Sequence, residues 1–165
     1  ADQSMLSARG PHRRLMVGMV SSGPLADVND DPRWVEFTNR YRQRWGREGF
    51  NSVSIHGYNY YVAMQGTLAA LNAVRGDLSG NQQNFMRALA ASDFTTPMGA
   101  RMRLDHNRQA ISDTFLNRIE ERGGQAMTVA FERARDVNQT LGVPEAQFLG
   151  LGSPSRDNTG CIATS

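Results

Sequence analysis

The sequence predicts an α/β fold, on three observations. Residues 31–91 carry apolar side chains at helical spacing, and residues 95–135 carry them at every second position. A short apolar run at 13–20 precedes both and ends in the turn Ser21-Ser22-Gly23-Pro24. Hydrophobic residues make up 39% of the 165 and charged residues 21%, enough apolar surface for a packed core.

The first twelve residues are polar and aperiodic, a loose start. The run RRLMVGMV, residues 13–20, reads as a buried strand because it is short, apolar and flanked by turn residues. A polar loop continues through Asp30. Asp31 can then cap a helix, and Pro32 suits its first position. Trp34, Phe37, Tyr41 and Trp45 recur at steps of three and four and share one face, with Gly46 placed to end the helix. Arg33, Arg40, Arg42 and Arg44 lie off that stripe as a solvated face. The aromatics sit on the buried side, where they are poorly placed to stack on bases.

After the turn Gly49-Phe50-Asn51, residues 53–56 read as a short strand or extended lead-in. A long helix is expected from Tyr58 to Arg75, with Tyr61, Met64, Leu68, Leu71 and Val74 on its inner face. Small residues at 63, 66, 69 and 70 suit close packing. Ser79 can cap a third helix over about 80–91, with Phe85, Met86 and Leu89 inward. The texture changes near Ser92. Residues 95–99 form a turn, and 100–104 alternate as a half-buried strand. Residues 109–121 fit a helix face through Ile111, Phe115 and Ile119, and equally a strand through Phe115, Asn117 and Ile119. Gly123-Gly124 breaks the chain, Met127, Val129 and Phe131 alternate again, and residues 141–145 open a short helix before a Gly/Ser/Pro tail.

The chemistry available is narrow. All 18 basic residues are Arg, which removes a P-loop lysine, a Schiff-base lysine and a lysine general base. With 16 acidic residues the net charge is +2, which implies no nucleic-acid surface. One cysteine, Cys161, excludes an internal disulfide and a cysteine-based zinc site. No apolar run approaches the ~20 residues a membrane span needs. His12, His56 and His106 show no metal-binding spacing, and the GxSxG and GxGxxG signatures are absent. Asp30-Asp31 and Glu120-Glu121 are adjacent pairs that read as solvated charge. No nucleophile, base and oxyanion donor come together, so the residues point to a non-enzymatic protein with no cofactor.

Three stretches, taken in order, resemble a known family: residues 15–46 (LMVGMVSSGPLADVNDDPRWVEFTNRYRQRWG), residues 54–78 (SIHGYNYYVAMQGTLAALNAVRGDL) and residues 85–124 (FMRALAASDFTTPMGARMRLDHNRQAISDTFLNRIEERGG). The turn Pro97-x-Gly99 before an alternating strand is the most specific part, and residues 139–161 resemble the ending of one subgroup. Together they look like the C-terminal half of the solute-binding proteins of branched-chain amino acid ABC transporters, with the type I periplasmic-binding-protein fold. Members of that family are longer, so the resemblance implies a fragment contributing to two Rossmann-like lobes. Residues 1–19 and 95–165 would belong to the C-terminal lobe and 20–94 to the N-terminal lobe. The hinge would lie near Met19–Ser22 and Ser92–Thr96.

The function the resemblance implies is capture of a small amino acid, or a related amide or carboxylate, between the lobes and its delivery to a membrane permease. The alternatives are a ligand-sensing regulatory domain of the same fold and an inactive fragment. Ligand contacts would come from Ser21, Ser22, Ser54, His56 and Tyr58, whose hydroxyls and imidazole can orient a polar head group. The resemblance further implies a periplasmic location, although ADQSMLSARGPHRR lacks the apolar segment of a signal peptide. Lobe surfaces left exposed leave room for a homodimer.

Overall fold

A computed structural model describes residues 1–8, 10–48 and 52–152. The expected turn at 49–51 and the tail with Cys161 lie outside the described residues. Ten elements follow in order: α1 (Gln3–Ala8), β1 (Val20–Gly23), α2 (Pro32–Trp45), α3 (Ile55–Ala73), α4 (Gln83–Ala90), β2 (Asp93–Thr95), β3 (Arg101–Leu104), β4 (Ala110–Arg122), β5 (Gln125–Val137) and α5 (Glu145–Gly150). Among the described residues no helix is long and apolar enough to cross a membrane.

The sheet is built around β4. β5 pairs with it antiparallel through a tight hairpin in which Arg122 faces Gln125. Gly123 and Gly124 both take positive φ, 56° and 77°, as the preferred two-residue hairpin turn requires. That hairpin settles the ambiguity of residues 109–121 in favour of a strand. The other edge of β4 is shared: β3 pairs at Ala110–Ile111, and β1 pairs where Ser21 faces Asn117 and Ser22 faces Leu116. β2 closes the order beyond β3.

Helices pack on one face of this sheet. Asp31 caps α2 by accepting from the Arg33 backbone N–H at 3.0 Å, and Pro32 opens the helix, as expected. Trp34 is buried, Phe37 and Tyr41 pack against the core, and Trp45 stays exposed beneath the Arg44 guanidinium. The main core joins Leu25, Ala26, Trp34, Val53, Tyr58, Val62, Met98, Ala100 and Phe115, so helical and strand segments share one cluster. A smaller cluster of Leu6, Ile119 and Ala126 anchors α1.

Several local expectations fail for physical reasons. Residues 13–20 are not a strand: a 3-10 segment, Gly10–Met16, comes first, and β1 starts only at Val20. Gly18 at φ 90° interrupts the run, and Met16 packs against the Leu6, Ile119 and Ala126 cluster while Leu15 is left 80% exposed. His56 belongs to α3, because Ser54 caps the helix by accepting from Gly57 N–H at 3.1 Å. The stripe Tyr61, Met64 and Leu68 faces outward. Tyr58, Val62, Gly66 and Ala70 are buried in its place. α3 is apolar on several sides, and the small-residue side admits the closest neighbour: a Cβ at Gly66 would stand 3.1 Å from the Phe94 ring. The same inversion holds in β5, where Ala126 and Thr128 are buried and Phe131 is exposed near Arg118. Ser79 makes no side-chain cap; its own N–H is held by Asp77.

Candidate functional site

A groove of about 880 Å³ lies between α3, the α4–β2 link and the ends of β1, β3 and β4. α3 supplies Tyr58, Val62 and Gly66, one turn apart, and β2 and β3 supply Phe94 and Met102. These form an apolar, partly aromatic wall. Hydroxyls of Ser22, Ser92, Ser112 and Thr114 and amides of Asn59, Gln109 and Asn138 surround it. Apolar walls with a few convergent polar groups are what small-molecule sites share, and the volume falls in the range of ~300–1,000 Å³ such sites span.

Tyr58 stands at the centre of the aromatic packing. Its ring meets Trp34 edge-on at 5.9 Å and Phe37 at 6.5 Å. Burial pushes its phenol above the ordinary tyrosine value. The phenol is therefore a neutral hydroxyl throughout the physiological range. Asp113 is the one charged side chain lining the groove among the described residues. It is buried, forms a close ion pair with Arg133, and accepts from Asp136 N–H at 2.9 Å. Arg133 also donates to the Gly99 carbonyl at 2.9 Å, which ties the Pro97-x-Gly99 turn to the site. The carboxylate is thus already satisfied, and the groove presents hydroxyls and amides rather than an open charge.

The sequence-derived residues separate. Ser22 and Tyr58 line this groove. Ser21 points to the opposite side of β1, beside Asn117, and its buried hydroxyl has no partner among the described residues. Ser54 caps α3 and lines a second cavity between α1 and β5. His56 is exposed in the first turn of α3 and lines neither cavity. Asp113 escaped sequence reasoning, yet a signal was there: Asp113, Phe115, Asn117 and Ile119 alternate on the inward face of β4, and an acid on a buried face requires a partner. Among the described residues no group of three acidic, His or Cys side chains could hold a metal ion.

No family model matches the chain, and no curated protein matches it. Solved structures do. An ABC transporter substrate-binding protein from Sphaerobacter thermophilus is 25% identical, with a TM-score of 0.70 over 82% of this chain. The chain has the fold of ABC transporter substrate-binding proteins. A solute-binding protein from Rhodopseudomonas palustris, solved with 3,4-dihydroxybenzoic acid, shares that fold at 16% identity and a TM-score of 0.66, over 74% of this chain and 32% of that one. An ABC-type branched-chain amino acid transporter protein from the same species does so at 16% identity and a TM-score of 0.61, over 85% and 35%. The expected α/β architecture of type I periplasmic binding proteins is therefore met. The chain spans 35% of the length of its Sphaerobacter relative.

Proposed function

We propose that this chain is part of the solute-binding component of an ABC importer and that the α3 groove contributes to its solute site. The observation that carries the proposal is the coincidence of that fold with a groove walled by Tyr58, Val62, Gly66 and Phe94 and edged by hydroxyls and amides. Ser22 and Tyr58 are the proposed ligand contacts. Ser22, Ser92 and Thr96, from the two expected hinge regions, all line the groove, which supports a lobe border there between residues 20–94 and the rest.

The solute that suits this wall has an apolar or aromatic body and a polar end, a carboxylate included, that hydroxyls and amides can hydrogen-bond. Relatives solved with 3,4-dihydroxybenzoic acid, 4-hydroxybenzoate and benzoate make aromatic acids the first class to try, beside branched-chain amino acids. The permease is the proposed partner, reached from outside the cytoplasmic membrane.

The test is calorimetric titration of the protein expressed from its whole gene with leucine, valine, benzoate and 4-hydroxybenzoate. Saturable heat with at least one of them, weakened about tenfold or more by Tyr58→Ala, supports the reading. Binding unchanged in that variant, with its fold intact by circular dichroism, refutes the assignment of the groove. No heat from any of the four refutes this solute class.

A further inference from the structure

A second cavity, of about 630 Å³, lies between α1, the C-terminal half of α2, the residues before α3 and the start of β5. Its walls differ in kind from the groove. Two guanidiniums, Arg13 and Arg42, line it together with hydroxyl groups and amides, and no carboxylate does so among the described residues. We propose that this cavity binds a small polyhydroxylated carboxylic acid, a sugar acid or its like, independently of the solute groove.

The hydrogen-bond inventory carries the argument. Ser4 donates to Asp2 at 2.7 Å and Ser52 donates to Asp27 at 3.0 Å, so both hydroxyl protons are committed and their oxygens are left to accept. Gln3 spends its amide N–H on Asp27 and the Ala126 carbonyl, both at 2.9 Å, leaving its carbonyl oxygen to accept. Ser54 accepts from Gly57 N–H, which leaves its own proton to donate. Arg42 already donates to the Asn39 amide oxygen at 3.5 Å, whereas Ser7, Tyr41, Arg13 and Gln125 have no side-chain partner among the described residues. One cavity thus holds guanidinium and hydroxyl donors for a carboxylate, and oriented acceptors for hydroxyl groups.

Asp2 and Asp27 stand behind this wall and do not open into it. Asp2 accepts from Ile55 N–H, Met5 N–H and Ser4, and Asp27 from Gln3, Ser52 and both groups of Thr128. Each buried carboxylate is consumed by donors that also fix the cavity wall. The wall is therefore preorganised, which spares a ligand the cost of ordering it.

The experiment is titration of the isotopically labelled protein, expressed from its whole gene, with sodium gluconate, followed by amide and side-chain NMR shifts, with glucose and inorganic phosphate as the comparison probes. Gluconate is expected to shift Ser7, Ser54 and the Gln125 side-chain amide in a saturable way, at least tenfold tighter than glucose or phosphate. Arg13→Gln is expected to weaken it at least tenfold while the methyl signals of Leu6 and Ile119 stay in place; Tyr41→Phe, which removes only a phenol oxygen, weakens it less. Absence of shifts at these residues overturns the proposal, as do equal affinities for gluconate and glucose or phosphate, or an unchanged Arg13→Gln variant. Shifts confined to Ser22, Asn59 and Phe94 would overturn it and leave the groove reading standing. Failure of the groove reading, conversely, leaves these shifts unaffected.

Discussion

Gly99 offers the sharpest test of how the Pro97-x-Gly99 turn holds the fold. Its φ is 74°, a conformation that costs a non-glycine residue about 1–2 kcal/mol. A Cβ built there would stand 2.2 Å from the Asp31 carboxylate. That carboxylate is the cap of α2, holding Arg33 N–H. The side chain can swing aside, but then the cap is lost, at about 1 kcal/mol. The exposed Asp31–Arg33 ion pair adds little to this. Gly99→Ala should therefore cost about 2–3 kcal/mol in urea unfolding, or roughly 5–10 °C in melting temperature for a chain of this size. The coupling is testable by a double-mutant cycle. In an Asp31→Ala background the clash is gone, and Gly99→Ala should cost only about 1–2 kcal/mol, the backbone share alone. A loss below about 0.5 kcal/mol, or the same loss in both backgrounds, would refute the argument.

Other expectations follow from burial and charge. Trp34→Ala empties the centre of the core and should cost about 3–5 kcal/mol by denaturant unfolding. Leu68→Ala on the outer side of α3 should change stability by less than about 0.5 kcal/mol, whereas Val62→Ala on the inner side should cost about 2, and a reversed order would show that the wrong side has been packed. The Asp2 carboxyl lies below its ordinary value of 3.8: burial pushes it up, but the Ile55 N–H, the Ser4 hydroxyl and the Met5 N–H together outweigh burial. Its contribution to stability is thus complete above pH 3.8 and lost as the pH falls through the lower folded value. In Asp2→Asn the acid limb of the stability profile should be shallower than in the parent, and an identical limb would contradict the hydrogen bonds assigned to that carboxylate.

The helices were largely legible because their signals are local. Asp31, Pro32 and Gly46 bracket α2 within a residue or so of its ends, whereas α3 starts at Ile55, three residues ahead of the expected Tyr58, because Ser54 caps it. Which side of a helix turns inward is a tertiary matter. α3 carries large apolar residues on one side and small ones on another, and periodicity favours the large ones. The fold prefers Gly66 and Ala70 because the Phe94 ring needs the space. Strand choice at 109–121 was equally beyond local pattern; the Gly123-Gly124 hairpin decides it by bringing β5 alongside. The site was half legible for the same reason. Turn residues at strand ends gave Ser22 and Tyr58, but Ser21 and Ser22 alternate across β1, and only one of two neighbours can face the groove. Asp113 acquires meaning only with Arg133, twenty residues away on the next strand.

The central claim is that a solute is held against the inner side of α3 where it meets β2, β3 and the end of β1. Mapping backbone amide shifts on the protein from its whole gene, during titration with whichever solute gives saturable heat, tests it most directly. The account predicts the largest shifts at Ser22, Asn59, Ser92 and Thr96, saturating together. Saturable binding that leaves those four amides unmoved would contradict it.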